Sequence, residues 1–221
     1  MRLFEKAFAS FGLAIAMRNA EYDPVRTVLV GAVAGLATCV VYPVLIASSP
    51  PRFLAVVLAA GMGPLLGIAS WGLREFLNLH KPRLSADLGA FSNGLAGALL
   101  TVMFLVQIAS RAQTSGKPSP EAVAVWLGLD VAWDVYVGLG TLCFAVNAFH
   151  HPRLGRVVGV LGCTIAVALL ALNLYSFPTP PANAGLVDLG PLVGFWYLIV
   201  TVGILRSIRW AREISAQTGR A

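Results

Sequence analysis

The stretch AVWLGLDVAWDVYVGLGTLCFAVNAF, from Ala124 to Phe149, decides how the whole chain is read. It runs 26 residues with two aspartates, Asp130 and Asp134, and no basic residue between Val123 and His150. A bilayer core about 30 Å thick needs about 20 mostly apolar residues to cross it. Backbone groups in hydrocarbon must be satisfied within the segment, so a span of this kind is a helix.

The rest of the chain has the same texture. Of 221 residues 57% are hydrophobic and 12% are charged, with a mean hydropathy of +0.78. A soluble domain has about 45–50% apolar and about 25% charged residues. Six runs qualify as spans, roughly 27–47, 53–73, 88–110, 124–149, 156–177 and 185–205, and no polar segment is long enough to fold separately. The expected fold is therefore all-α: a six-helix integral membrane bundle over residues 23–206, followed by a basic cytoplasmic tail, 207–221.

The basic residues fix an orientation. Arg2, Lys6, Arg18, Arg26, Arg74, Lys81, Arg83, Arg153, Arg156, Arg206, Arg209, Arg212 and Arg220 fall on one side, and only Arg52, Arg111 and Lys117 on the other. The positive-inside rule then places both termini in the cytoplasm. The net charge of +6 is thus a matter of topology and does not point to nucleic acid. Residues 1–22 carry Leu3, Phe4, Ala7, Phe8, Phe11 and Ile15 at helical spacing, the pattern of an amphipathic helix at the cytoplasmic interface. The rival reading is a signal peptide cleaved near Ala14–Ala16, which would invert the orientation.

Pro and Gly mark an apparent repeat. DPVRTVLVG (23–31), KPRLSADLG (81–89) and HPRLGRVVG (151–159) stand at the starts of spans 1, 3 and 5, each with a proline seven residues before a glycine. GPLLG (63–67) and GPLVG (190–194) correspond in spans 2 and 6. The pattern suggests three tandem helical hairpins, or simply helix ends marked alike. The GxxxG pairs Gly31/Gly35, Gly63/Gly67, Gly155/Gly159 and Gly190/Gly194 allow close helix packing, within the chain or against a homo-oligomer or membrane partner. Pro43, Pro64 and Pro191 are expected to kink their spans.

Two carboxylates in span 4 are costly. At 1.5 Å per residue from Val125, Asp130 lies about 7–8 Å and Asp134 about 13–14 Å from the outer boundary. A central aspartate costs about 2.5–3.5 kcal/mol to insert, roughly balanced here by a dozen apolar neighbours. Trp126, Asp130, Trp133, Asp134, Val137 and Thr141 share a helix face. Gln107 and Arg111 in span 3, Asn173 in span 5 and Asp188 in span 6 sit at matching depth, so an outer-half pocket of Gln107, Arg111, Asp130, Trp133, Asp134, Asn173 and Asp188 is expected. Intramembrane acids mark ion, proton or substrate paths. The competing reading makes Arg111, Gln107 and Asn173 structural partners of the acids.

Other chemistries fit poorly. His80, His150 and His151 lie at the cytoplasmic ends, far from the deep acids, so a zinc site or a mid-span haem lacks ligands. His150 and His151 read as interfacial anchors beside Arg153. No lysine lies inside a span for a retinal Schiff base, and GxSxG, HExxH and phosphate-binding loops are missing. Cys39, Cys143 and Cys163 are dispersed in apolar runs, which suits small buried side chains better than a disulfide or thiolate metal site. No cofactor is expected.

AWDVYVGLGTLCFAV (132–146), HPRLGRVVGVLG (151–162) and LNLYSFPTPPANAGLVDLGPLVGFWYL (172–198) resemble small multi-pass bacterial membrane proteins with no established activity. The resemblance covers about residues 126–206 and implies a bacterial inner-membrane location. The leading expectation is a small ion- or proton-coupled transporter with Asp134 as carrier, Asp130 as its partner and Arg111 as a gate. A non-catalytic membrane subunit or scaffold is the alternative, and a metal-independent lipid enzyme the third.

Overall fold

The computed structural model describes residues 23–48, 50–113 and 117–217, so the amphipathic reading of residues 1–22 lies outside the described residues. All regular structure among the described residues is helical: α1 (Pro24–Ala47), α2 (Arg52–His80), α3 (Leu84–Gln113), α4 (Pro120–Phe149), α5 (Gly155–Ser176), α6 (Gly190–Arg206) and α7 (Ile208–Gln217), with a 3₁₀ turn at Pro181–Ala184. Helices α1 to α5 are each long and apolar enough to cross a membrane. Helix α6 passes the same test together with α7, from which it is bent by 60°. Large apolar side chains such as Val33, Val40, Phe53, Phe91, Val157 and Leu174 are exposed on the outside. These features are compatible with an integral membrane protein of several spans.

The connections are short, so successive helices run antiparallel and pack as neighbours from α1 through α5. Helix α6 closes the ring by packing on both α1 and α5, over shorter stretches than the sequential pairs share. The α2–α3 and α4–α5 seams are as extensive as those within the α1–α2 and α3–α4 hairpins. Each of α1 to α6 thus packs on two neighbours of one ring. Helix α7 lies under the end rich in arginine, against α1, α2 and α6. We call this the basic end, and the end where α2, α4 and α6 begin the far end.

Glycine sets the tightest seams. Gly31 of α1 meets Gly72 of α2 backbone to backbone, and Gly63 of α2 meets Gly97 of α3, where the Thr101 hydroxyl accepts the Gly63 N–H at 2.9 Å. Gly35 packs on Thr201 of α6, whereas Gly67 and Gly194 face open space. Of the partner glycines read from the sequence, Gly31, Gly35 and Gly63 are therefore occupied within the chain. Gly190 lies beside Asp188 and Trp133.

The centre of the ring is polar. Tyr197 of α6 reaches across it, where Asn93 Nδ2 of α3 donates to the phenol at 2.6 Å and Thr141 of α4 shares a hydrogen bond with it at 3.1 Å. Asn93 also donates to Ser70 of α2 at 3.1 Å. Four helices are thereby tied at one level. Asn147, nearer the basic end, donates separately to Ser85 at 2.8 Å.

The helix starts differ where the sequence looked repetitive. Pro24 is the first residue of α1 and Asp23 caps it, accepting from Val25 N–H at 2.9 Å. At α3 the cap is tertiary, with Asn78 Oδ1 accepting from Arg83 N–H at 3.2 Å. At α5 the chain turns through Gly155 at φ +79°, a conformation glycine adopts without strain. Pro43 and Pro64 lie inside helices, but Pro191 sits in the first turn of α6, where a missing N–H costs nothing. Helix α6 starts at Gly190, five residues later than the sequence reading of span 6, because Gly185 at φ +78° and the preceding 3₁₀ turn hold the chain out of a helix.

Candidate functional site

The far end gathers the acids. Asp130 and Asp134 lie one turn apart on α4, and Asp188 stands just before α6. Their exposure is graded: Asp188 is exposed, Asp130 half-buried and Asp134 only 6% exposed. Asn173 of α5 is fully buried and its Nδ2 donates to Asp134 Oδ2 at 2.8 Å. The same nitrogen donates to the Leu169 carbonyl at 3.0 Å, which fixes the amide against its own helix. Its Oδ1 is buried with no hydrogen-bond partner among the described residues. Asp188 Oδ1 accepts the Gly190 N–H at 2.8 Å and so caps the start of α6. All three carboxylates lie within electrostatic reach of one another and of the half-buried Tyr42 phenol on α1.

What the acids lack is a cation. Among the described residues the ion pairs are those of Arg74, to Asp87 at 2.6 Å and Glu75 at 3.2 Å, and both stand at the basic end. Arg111 is exposed at the end of α3 and makes no ion pair among the described residues. Gln107 is half-buried and gives no hydrogen bond to the acids among the described residues. The geometry therefore joins Asp130, Asp134, Asp188, Asn173 and the neighbouring Trp133, and leaves Gln107 and Arg111 outside that group. Tyr42 is the member that sequence reasoning missed. Its depth in span 1 matches the acids, but nothing in the periodicity says that α1 faces α4 across the ring.

Beside this cluster runs an apolar cavity of about 340 Å³ between α1 and α6, floored by α2 and by Leu100, Trp133 and Val137. Its α1 wall extends from Gly31 to Ile46, about 22 Å at 1.5 Å per residue, so it is a slot rather than a chamber. Tyr42, Trp133 and Gly190 border both the slot and the acids. The slot lies along the short α1–α6 seam, and of the glycines on its walls Gly194 is one where an added side chain would meet open space.

A second cluster lies at the basic end. His151 is 2% exposed, between Phe76 at 4.7 Å and Trp210 of α7 at 5.2 Å, with His80 edge-on at 5.6 Å (ring centroids). Its Nδ1 accepts the Arg153 N–H at 3.3 Å, and its Nε2 is buried with no hydrogen-bond partner among the described residues. Burial, with help from His80 and Arg153, pushes its pKa down to about 4. His151 is thus a neutral aromatic core residue, unlike the exposed His150, which corrects the reading of both as interfacial anchors.

No cluster of three or more His, Cys, Asp or Glu among the described residues has the arrangement of a metal site. The three cysteines are free and half-buried. Comparison with protein-family models, curated proteins and solved structures gave no match for this chain.

Proposed function

We propose that the chain is a six-span bacterial inner-membrane protein, with the basic end in the cytoplasm, that moves a cation or protons through the acidic far end. The observation that carries this reading is the buried Asp134 carboxylate, which has the neutral Asn173 amide as its side-chain partner and no ion pair among the described residues. A carboxylate buried without a countercharge needs a proton or a cation beside it. The grading from exposed Asp188 through Asp130 to buried Asp134 supports a path inward from the far face. Asp134 would bind the ion or proton at the deepest point, Asn173 would hold its carboxylate in place, and Asp130 and Asp188 would draw cations to the mouth. In this scheme Arg111, exposed nearby in depth, acts on approach rather than as an ion-pair partner.

The test is transport by pure protein in proteoliposomes, reading uptake of a cationic dye and movement of protons with a trapped pH indicator. Asp134→Asn keeps the shape and the Asn173 hydrogen bond but removes the charge. Loss of flux in that variant supports the reading, and undiminished flux overturns it.

A second reading has one observation in its favour. Gly67 lies in an external groove with Val30, Ile68 and Trp71, open to any neighbour, as a helix-docking subunit would present it. A stoichiometric membrane partner retained on purification and lost in Gly67→Leu would favour it.

A further inference from the structure

We infer that the ion taken at Asp134 is a proton, held as a neutral carboxylic acid that gives its O–H to Asn173 Oδ1 while accepting the Asn173 N–H. The inference rests on the reading above that the far-end acids serve an ion, and names the ion. Two side chains already in contact carry it. Asn173 Nδ2 donates to Asp134 Oδ2 at 2.8 Å and to the Leu169 carbonyl at 3.0 Å. Both N–H groups of the amide are thus used, which fixes its orientation: turned over, its oxygen would face two acceptors. Oδ1 is then left buried with no partner among the described residues, on a side chain that is itself fully buried.

An acceptor buried without a donor is unfavourable. Asp134, the group already touching this amide, becomes a donor when one proton binds it. Oδ2 accepts the amide N–H, so the new O–H bond forms on Asp134 Oδ1 and donates to Asn173 Oδ1. Each of these two oxygens shares a carbon with an atom of the existing hydrogen bond, so the second bond asks only for side-chain rotation. The product is an uncharged acid–amide pair with one hydrogen bond in each direction. The proton comes from water on the far side, past exposed Asp188 and half-buried Asp130, and nothing is oxidised or displaced.

Larger ions suit these contacts poorly. A hard metal cation takes about six oxygen ligands, and no group of three or more His, Cys, Asp or Glu among the described residues has the arrangement of a metal site. An organic cation needs a chamber, and the cavity beside the cluster is lined by neither Asp134 nor Asn173. A proton needs no room and supplies the donor that Asn173 lacks. Asp130 on α4, Asp188 before α6 and the Tyr42 phenol on α1 lie within electrostatic reach of Asp134. From α5 comes the neutral Asn173, and Arg111 of α3 is exposed without an ion pair among the described residues.

The experiment is infrared difference spectroscopy of the full chain in a detergent without carbonyl groups, stepped from pH 10 to pH 4 in choline, sodium or potassium chloride. A carboxylic acid carbonyl band is expected to grow in as pH falls, at the same pH in all three salts, and to be lost in Asp134→Asn. In Asn173→Leu it should move to higher wavenumber, where a carboxyl without hydrogen-bond partners absorbs. Thermal unfolding adds a readout that does not need Asn173→Leu to fold. Asp134→Asn supplies an N–H where the protonated acid has its O–H, so it should melt at or above wild type at pH 7.5. The inference is overturned by a band indifferent to Asp134→Asn, by one that sodium or potassium drives to lower pH, or by one unmoved in folded Asn173→Leu. Asp134→Asn melting several degrees below wild type also overturns it. The two readings fail separately. Asp134-dependent flux that requires sodium or potassium sinks only this inference, and a salt-indifferent Asp134 band without flux sinks only the transport reading.

Discussion

Removing the imidazole of His151 should flatten the acid limb of the protein's stability. The ring is 2% exposed between Phe76, Trp210 and His80, and its pKa lies near 4, against 6.5 for a free histidine. Because the folded value is depressed, the unfolded chain takes up the proton first as pH falls. The stabilising contribution of the neutral ring is complete above pH 6.5 and is lost as pH drops from there through about 4. Between pH 7 and pH 4.5 this linkage removes about 2 kcal/mol, from a shift of about 2.5 units at 1.36 kcal/mol each less the part not yet titrated. For a chain of this length that is about 4–8 °C in Tm. The assay is thermal unfolding in detergent at both pH values for wild type and His151→Phe. The phenyl ring keeps the aromatic packing without a titrating group. The pH-induced loss should be smaller in the variant by about 4 °C or more. His80, Glu75, Asp87 and Arg153 border this end and are present in both proteins. Equal losses in wild type and variant would refute the burial argument.

Other consequences are equally direct. Gly72→Val should push α1 from α2 and cost about 1–3 kcal/mol, whereas Gly61→Val, which meets open space, should cost much less; unfolding midpoints decide between them. Tyr197→Phe removes the hydrogen bonds that join α3, α4 and α6, and should destabilise by about 1–2 kcal/mol. Adding Asn93→Leu should cost less than the sum of the single changes, because both act on one network. Cys39 borders the slot, with Sγ 3.9 Å from the Gly194 carbonyl. In a Cys143→Ser/Cys163→Ser background, N-ethylmaleimide should label it, and Gly194→Leu should slow that labelling several-fold.

The helices were legible because apolar length is a direct readout of bilayer thickness, and the six apolar runs foreshadowed α1 to α6. Their ends were not, since the helices continue past the apolar runs into polar sequence. Thus α2 runs on to His80, where Glu75, Asn78 and Arg74 find polar partners. Helix α7 hid in what read as a basic tail, although Trp210, Ala211 and Ile214 follow helical spacing and Ala211 is fully buried. At the site, the pairing of Asp134 with Asn173 followed from matched depth in antiparallel neighbours. Depth alone could not separate Asn173, which faces the ring, from Arg111, which faces out. That choice depends on helix rotation, and α4 is nearly uniformly apolar, so its sequence carries little rotational signal.

The central claim is that the far-end acids are kept for what they bind and not for what they hold together. The most direct measurement pairs unfolding temperature with cation flux in the Asp130→Asn/Asp134→Asn double variant at pH 7.5. The variant is expected to be at least as stable as wild type, because no ion pair among the described residues balances these carboxylates, and to show no flux. A variant that melts several degrees lower while flux persists would make the acids structural and contradict the account.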